Sequence, residues 1–328
     1  MSRRSVSKPL PVDLPMVLDA ARRVRGKVRT TPLASLPSLA DRAGCEVFGK
    51  LESFQLTGSF KARGALNRML TLSPEERRGG VWAISAGNHA QGVAWAAAQV
   101  GCHATIVMAN DSSPLKQAKT RRLGAEVLLH GANYDEADSW AAQQVREAGH
   151  TFIHPYEDPL VMAGQGTLVL EMSQVISKLG TLVVPVGGGG LLAGCAVAAR
   201  ALYPGIRVVG VQSDASPAMV RSLEAGRPVE TPYTDSIADG LTGRWAGEVA
   251  CRMIGHLCNG VRLVSEKEIA PAMLWLLNEE GFLIEPAGAT PVAALLSGVL
   301  DDLPGPLALV LSGGNVHPAV LKQILNQS

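Results

Sequence analysis

The sequence predicts an α/β protein built on open, mostly parallel sheets, and three observations carry that prediction. From Val81 to Leu311, short β-rich apolar runs alternate with longer helical patterns, an order that right-handed crossovers turn into parallel strands. Two of these runs end directly in tight glycine-bearing turns, Ser85-Ala86-Gly87-Asn88-His89 and Gly187-Gly188-Gly189-Gly190, each leading into an apolar helix. Ligands of parallel sheets gather at such strand ends. Finally, 328 residues with 47% apolar and 18% charged side chains can bury the core of two domains or of one large unit.

In chain order, residues up to about Val12 read as a mobile tail, and Asp13 to Arg25 as a helix with Leu14, Val17, Leu18 and Ala21 on one side. Thr30 to Leu33 is extended, and Glu46 to Glu52 is a strand. A helix then opens near Lys61 and runs to about Leu70, with Thr57 or Ser59 as the hydroxyl that caps it. Strands follow at Val81–Ile84, His103–Met108, Ala125–His130 and Thr151–His154, separated by helices at Pro114–Leu123 and Tyr134–Ala148. Ala163–Leu179 reads as a helix, Leu182–Val186 as a strand, and Leu191–Leu202 as a buried helix. Arg207–Val211 is a strand, and Ser213–Ala238 is irregular. Val261–Val264, Glu266–Gly281, Pro291–Leu300 and Leu307–Leu311 complete the alternation, with a short helix after Asn315. No linker or low-complexity stretch marks an appended regulatory domain.

Composition excludes several classes of function. A net charge of +1 without a basic stripe gives no footprint for nucleic acid, and 4% aromatics argue against base-stacking platforms. Cys45, Cys102, Cys195, Cys251 and Cys258 are odd in number and irregularly spaced, which suits a reducing compartment better than a disulfide framework. The histidines show no metal-ligand spacing. No signal peptide or membrane-spanning run is visible, so the expectation is a soluble, cytoplasmic protein.

The chemistry centres on Ser59-Phe60-Lys61-Ala62-Arg63-Gly64-Ala65. Lys61 falls in the first turn of its helix, where the macrodipole is positive and a cation is poorly placed for stability. The dipole and burial together would lower its pKa and free a nucleophilic amine near neutral pH. A surface lysine beside Arg63 and Arg68 is the plainer reading of the stretch alone. The two glycine-bearing turns each present backbone N–H groups at a helix N-terminus, so one can hold a phosphate and the other a carboxylate. A nucleophilic lysine, a phosphate cradle and a carboxylate cradle are what a pyridoxal-phosphate enzyme acting on an amino acid needs. The run Gly188-x-Gly190-x-x-Ala193 also satisfies a loose dinucleotide fingerprint. That alternative wants an acid ending the next strand, where Gln212 stands, and leaves Lys61 and the Ser85 turn unused.

With these stretches, and with Ala163-Gly164-Gln165-Gly166-Thr167, Ile237-Ala238-Asp239-Gly240 and Ser312-Gly313-Gly314-Asn315, the chain resembles the serine/threonine dehydratases of fold-type II (tryptophan synthase β-like). The resemblance extends from about Arg29 to Asn315. It implies two open, mostly parallel sheets, one in a large domain (1–53 and 156–328) and one in a smaller domain (54–155) inserted into it. It implies pyridoxal 5′-phosphate as cofactor, with Lys61 as the Schiff-base lysine and catalytic base. Phe60 resembles the residue stacked on one face of the pyridine ring, with ordinary core packing as its plain alternative. Gly240 matches the residue that leaves room on the other face; alone it reads as a turn glycine with positive φ. Gly187, Gly188, Gly189, Gly190 and Leu191 would hold the phosphate, Asn88 the phenolic oxygen and Ser312 the pyridine nitrogen. Ser85, Ala86, Gly87, Asn88 and His89 would cradle the substrate carboxylate, though His89 itself reads as a capping or core histidine. Glu285 falls where relatives place a carboxylate near the cofactor; a helix N-terminal acid is the simpler reading.

Two departures narrow the expectation. Racemases among the relatives carry serine at the position of Ala86, and alanine carries no proton to the opposite face of Cα. Relatives that bind a divalent metal do so with acidic residues after the strand ending at Val211; here Gln212 and Ala218 stand there, so no metal site is expected. The resemblance therefore implies an ammonia-lyase that deaminates a β-hydroxy amino acid, L-threonine or L-serine, by β-elimination to a 2-oxo acid and ammonia. Alternatives are a dehydratase for 3-hydroxyaspartate or a β-aryl serine, an amino-acid racemase, and a non-catalytic pyridoxal-phosphate-binding protein. A small-molecule substrate is expected, with no nucleic acid or membrane partner, and a homodimer follows from the resemblance only.

Overall fold

The computed structural model describes residues 9–326. Its strands in chain order are β1 (Leu33–Ser35), β2 (Val47–Leu51), β3 (Val81–Ile84), β4 (Ala104–Met108), β5 (Glu126–Leu129), β6 (Thr151–Phe152), β7 (Thr181–Pro185), β8 (Arg207–Ser213), β9 (Val261–Val264) and β10 (Leu307–Leu311). A six-stranded sheet has the order β1-β2-β10-β7-β8-β9, and a four-stranded sheet the order β5-β4-β3-β6. Every pairing is parallel except β1 with β2. Leu-Ala-Leu-Val-Leu in β10 and Thr-Leu-Val-Val-Pro in β7 are buried at every position. Such unbroken apolar runs belong to strands covered by helices on both faces.

One face of the larger sheet packs on helices Leu14–Val24, Pro159–Ser173 and Gly190–Leu202. The other packs on Glu266–Asn278 and Pro286–Leu296. The smaller sheet has its own core, with Leu66, Met69, Val93 and Ala97 of the two helices that follow the lysine and Ser85 turns.

The expected elements are present with instructive differences. Residues 1–8 of the expected tail lie outside the described residues, while Val12 is buried against Val17 and the larger sheet's helices, so the tail expectation reaches too far. The helix expected from Ala163 begins at Pro159 and ends at Ser173, because Asp158 caps it by accepting from the N–H groups of Leu160 and Val161 and Pro159 suits its first turn. The helix expected from Pro291 likewise begins at Pro286, with Pro291 in its interior. Within the segment read as irregular, Ala218–Ala225 is helical.

Candidate active site

The parallel order sets where the functional loops fall. β2, β10 and β7 are neighbours, and their carboxyl ends lead into the lysine loop, Ser312–Asn315 and the glycine loop. In the smaller sheet β3 and β6 are neighbours, and they lead into Ser85–Asn88 and His154–Pro155. Stretches more than 200 residues apart in sequence are thereby brought to one cleft.

Backbone bonds then join them. Phe60 N–H donates to the Ser312 carbonyl (3.1 Å), Gly314 N–H to Gly58 (2.9 Å) and Glu285 N–H to Gly313 (3.0 Å), while Ser59 bridges to Gly313. The pull of this pairing explains why the expected cap fails. The helix Lys61–Leu70 has Phe60 at its N-cap position, and the buried hydroxyls of Thr57 and Ser59 find no protein partner. Lys61 itself donates from Nζ to the Pro155 carbonyl at 2.8 Å, and its Nζ lies 5.2 Å from the Phe60 ring centroid. Burial lowers its ammonium to about 8, so a useful fraction of free amine exists near neutral pH.

A close helix crossing holds the lysine helix. A Cβ on Gly164 would come within 2.6 Å of Gly64 Cα, so these two glycines let helices Lys61–Leu70 and Pro159–Ser173 touch backbone to backbone. Gln165 Oε1 accepts from Gly64 N–H there (3.1 Å). Arg63, read from sequence as a surface neighbour of Lys61, is wholly buried instead. Its guanidinium donates to both oxygens of Glu52 (2.8 Å each) and of Glu171 (2.6 and 2.9 Å). Lys50 completes a neutral quartet by donating to Glu171 (2.5 Å) and to the Thr31 carbonyl (2.7 Å). Burial opposes charge on Glu52, yet Arg63 first and Lys50 and Thr31 after it hold the carboxyl below its ordinary range.

Across the cleft, Asn88 opens the helix Asn88–Gln99 and donates from Nδ2 to Glu285 Oε1 (2.7 Å). Asn315 Nδ2 donates to Asn88 Oδ1 and to the Thr57 carbonyl, each at 2.8 Å. Glu285 is the helix N-terminal acid of the simpler sequence reading, standing at the N-cap of the helix Pro286–Leu296, but its side chain makes no cap bond and turns to Asn88. Burial, and then the charge of Asp239, raise its carboxyl to about 7. Ser85 Oγ accepts from Gly87 N–H (3.0 Å) and braces the turn. His89 is buried, its Nε2 lies 2.8 Å from the Ile153 carbonyl, and burial keeps it neutral. It belongs to the core reading.

A pyridoxal phosphate fits these residues. The helix Gly190–Leu202 has no side-chain cap, so its first N–H groups face the loop free of intrahelical acceptors. Gly189 has φ 98°, an added Cβ on Gly190 would sit 2.8 Å from Tyr156 Cα, and one on Gly188 would strike the Tyr156 ring. Only hydrogen fits at those positions, and the loop's amides therefore stay open to an anion. At Gly240 a Cβ would come 3.1 Å from Ala287 Cβ; φ there is not positive, so the glycine answers to space rather than to a turn. Ser312 is buried at the end of β10. Gln212 accepts from Met219 and Val220 N–H and reaches the Gly187 carbonyl at 3.4 Å, packing the glycine loop from behind.

Residues 24–313 match the family model for pyridoxal-phosphate dependent enzymes. The chain belongs to this family. It is 42% identical over 312 residues to an L-threonine ammonia-lyase of Geobacter sulfurreducens, covering 95% of this chain and 78% of that protein. It is 38% identical over 321 residues to the catabolic L-threonine dehydratase of Escherichia coli, covering 97% of this chain and 98% of that one. Among solved structures, the T.th. threonine deaminase superposes with a TM-score of 0.86 at 40% identity, over 92% of this chain and 98% of the other. Maize serine racemase gives 0.91 at 31%, over 97% and 98%. The fold is thus the fold-type II α/β architecture and the protein is a pyridoxal-phosphate-dependent lyase of the threonine dehydratase kind. Among the described residues no helix is long and apolar enough to cross a membrane.

Sequence reasoning gave no role to three participants. Pro155 receives the Lys61 amine, Tyr156 forms the wall behind the glycine loop, and Asn315 carries the bond from the lysine loop to Asn88. His154-Pro155-Tyr156 after a strand end was the available signal.

Proposed function

We propose that this protein deaminates L-threonine or L-serine by β-elimination, giving a 2-oxo acid and ammonia. The observation that carries the reading is Lys61: a partly buried amine with a pKa near 8, bonded to Pro155 beside the tyrosine that packs on the glycine loop. Burial holds His89 well below its ordinary range and His154 down at about 4, so neither rivals Lys61 as base. Pyridoxal phosphate, when bound, supplies an electron sink for the pair left at the substrate Cα. Gly187–Leu191 would hold its phosphate, Asn88 its phenolic oxygen and Ser312 its ring nitrogen, with Phe60 and Gly240 as the residues for the two faces of the ring. The Ser85–His89 turn, braced by the Ser85 hydroxyl, binds and orients the substrate carboxylate. Lys61 takes the Cα proton, the Cβ–O bond breaks as the hydroxyl takes up a proton and departs as water, and the released enamine tautomerises to an imine that water hydrolyses to the 2-oxo acid and ammonia. Glu285 keeps Asn88 oriented.

Specific features weigh against the rival readings. Ala86 offers no proton for racemisation. Arg63 is consumed by the buried quartet and Arg244 is bound to Asp135 and Glu230, so neither awaits a second substrate carboxylate. The smaller sheet and its helices, from about Phe54 to Pro155, form a domain inserted in the larger one. A cytoplasmic homodimer completes the proposal on family resemblance.

The test is borohydride trapping of the purified holoenzyme, with mass spectrometry of the adduct and 2-oxo acid release measured on a panel of β-hydroxy amino acids. The expected result is an adduct on Lys61, release from threonine or serine, and loss of both in Lys61→Ala. Release only from an acidic or aryl analogue would overturn the substrate. A Lys61→Ala protein that still deaminates would overturn the mechanism.

A further inference from the structure

We propose that Asp239 is a specificity-determining residue: it holds Lys116 in an ion pair at the cleft and so turns away amino acids with a negatively charged β-substituent. The inference rests on the lyase reading above and deepens it.

Lys116 lies in the first turn of the helix Pro114–Arg122, which packs beside the helix that begins at Asn88. Its Nζ donates to Asp239 Oδ2 at 2.6 Å, linking the smaller sheet's layer to the segment that carries Gly240. Both charges reach buried Glu285, Asp239 pushing its carboxyl up and Lys116 drawing it down. Asp239 adjoins Gly240, where an added Cβ would come 3.1 Å from Ala287 Cβ, so the pair lies beside the start of the helix that Glu285 opens. Of the other cations around the cleft, Arg63 is locked in the quartet, Arg244 is bound to Asp135 and Glu230, and Lys61 serves the Cα proton. Lys116 is the cation that a second carboxylate would seek.

A dianionic substrate entering here must displace Asp239 from the ammonium and then sit beside an unpaired carboxylate. Like charges brought together at a binding site discriminate strongly between ligands. A β-carbon bearing a hydroxyl with hydrogen or methyl has no charge to set against either member of the pair. Side-chain exposures of 30% for Lys116 and 63% for Asp239 leave the pair well solvated, so its own contribution to stability is small and its replacement is tolerated by the fold.

The experiment uses holoenzyme of the wild type, Asp239→Asn, Lys116→Met and the double variant. The readout is the ratio of kcat/KM for 3-hydroxyaspartate to that for L-threonine, with calorimetric binding of L-aspartate, which has no β-hydroxyl to lose, as a second measure. Asp239→Asn should raise the ratio at least about tenfold and tighten L-aspartate binding. Lys116→Met, which leaves Asp239 unpaired, should lower the ratio, and the double variant should lose the gain. An unchanged ratio and unchanged L-aspartate affinity in Asp239→Asn would overturn the proposal, as would a gain that survives removal of Lys116. Failure of the lyase reading shows itself separately, as wild-type protein that releases no 2-oxo acid from any β-hydroxy amino acid; the L-aspartate titration then still decides the role of the pair.

Discussion

Replacing Arg63 by methionine tests whether the buried quartet holds the lysine helix in place. Methionine roughly fills the space, so the cost is electrostatic. Glu171 keeps Lys50 at 2.5 Å, but Glu52, with no exposed surface, keeps the Thr31 hydroxyl at 2.6 Å as its donor and Lys50 only as a nearby charge. Leaving one partner of a buried pair alone costs about 3–5 kcal/mol, out of about 5–15 kcal/mol for a typical native protein. The sign of the pH dependence separates this account from a simple packing defect. In the wild type the Glu52 carboxyl is held below its ordinary range, so its stabilisation is present at pH 5–7 and is lost only as pH falls through the depressed folded value. Without Arg63, burial is the largest remaining influence and raises the folded value, so the penalty is full at pH 7 and relaxes as pH falls toward the ordinary carboxylate range. Urea unfolding of the cofactor-free protein, followed by tryptophan fluorescence at pH 7 and pH 5, should show a deficit of about 3–5 kcal/mol at pH 7 that shrinks at pH 5. A deficit below about 1 kcal/mol, or one of equal size at both pH values, would refute the reasoning.

Two further outcomes follow from the site. Gly188→Ala places a methyl against the Tyr156 ring; overpacking of about 1–3 kcal/mol should weaken pyridoxal-phosphate affinity by about tenfold or more, and equal affinity by equilibrium dialysis would remove the loop from the phosphate site. Glu285 has a folded pKa raised from 4.5 to about 7, so its contribution is intact below the ordinary value and lost as pH rises through 7. Glu285→Gln should therefore be more stable than wild type at pH 8 by about 3 kcal/mol in the cofactor-free protein, with the gap closing by pH 4; parallel stability curves would contradict that shift.

The parts legible in sequence were those whose signal is local. β10 is a five-residue apolar run, Gly187–Gly190 follows a strand directly, and Lys61 stands in an identifiable turn; each advertises itself within about ten residues. Partners far apart in the chain were not legible. Nothing near Arg63 announces Glu171, nothing near Lys116 announces Asp239, and nothing near Lys61 announces Pro155. Local reasoning also misjudged the cap: Thr57 and Ser59 are good capping residues, but the pairing of this loop with Ser312–Gly314 takes the backbone away from capping geometry. At Asp158-Pro159 the cap signal is local, and it lies upstream of the apolar pattern that begins at Ala163.

The place of β10 bears on how the protein is made. This strand is late in the chain yet lies between β2 and β7 in the middle of the larger sheet. A nascent chain can assemble β3 to β6 from neighbouring segments while still being synthesised, but β2 and β7 wait without their common partner until residues 307–311 emerge. Long-range pairing of this kind is slow to form. Chains halted before Leu307 lack the seam of the sheet as well as Ser312, and are left with open apolar strand edges for the cell's quality control to recognise.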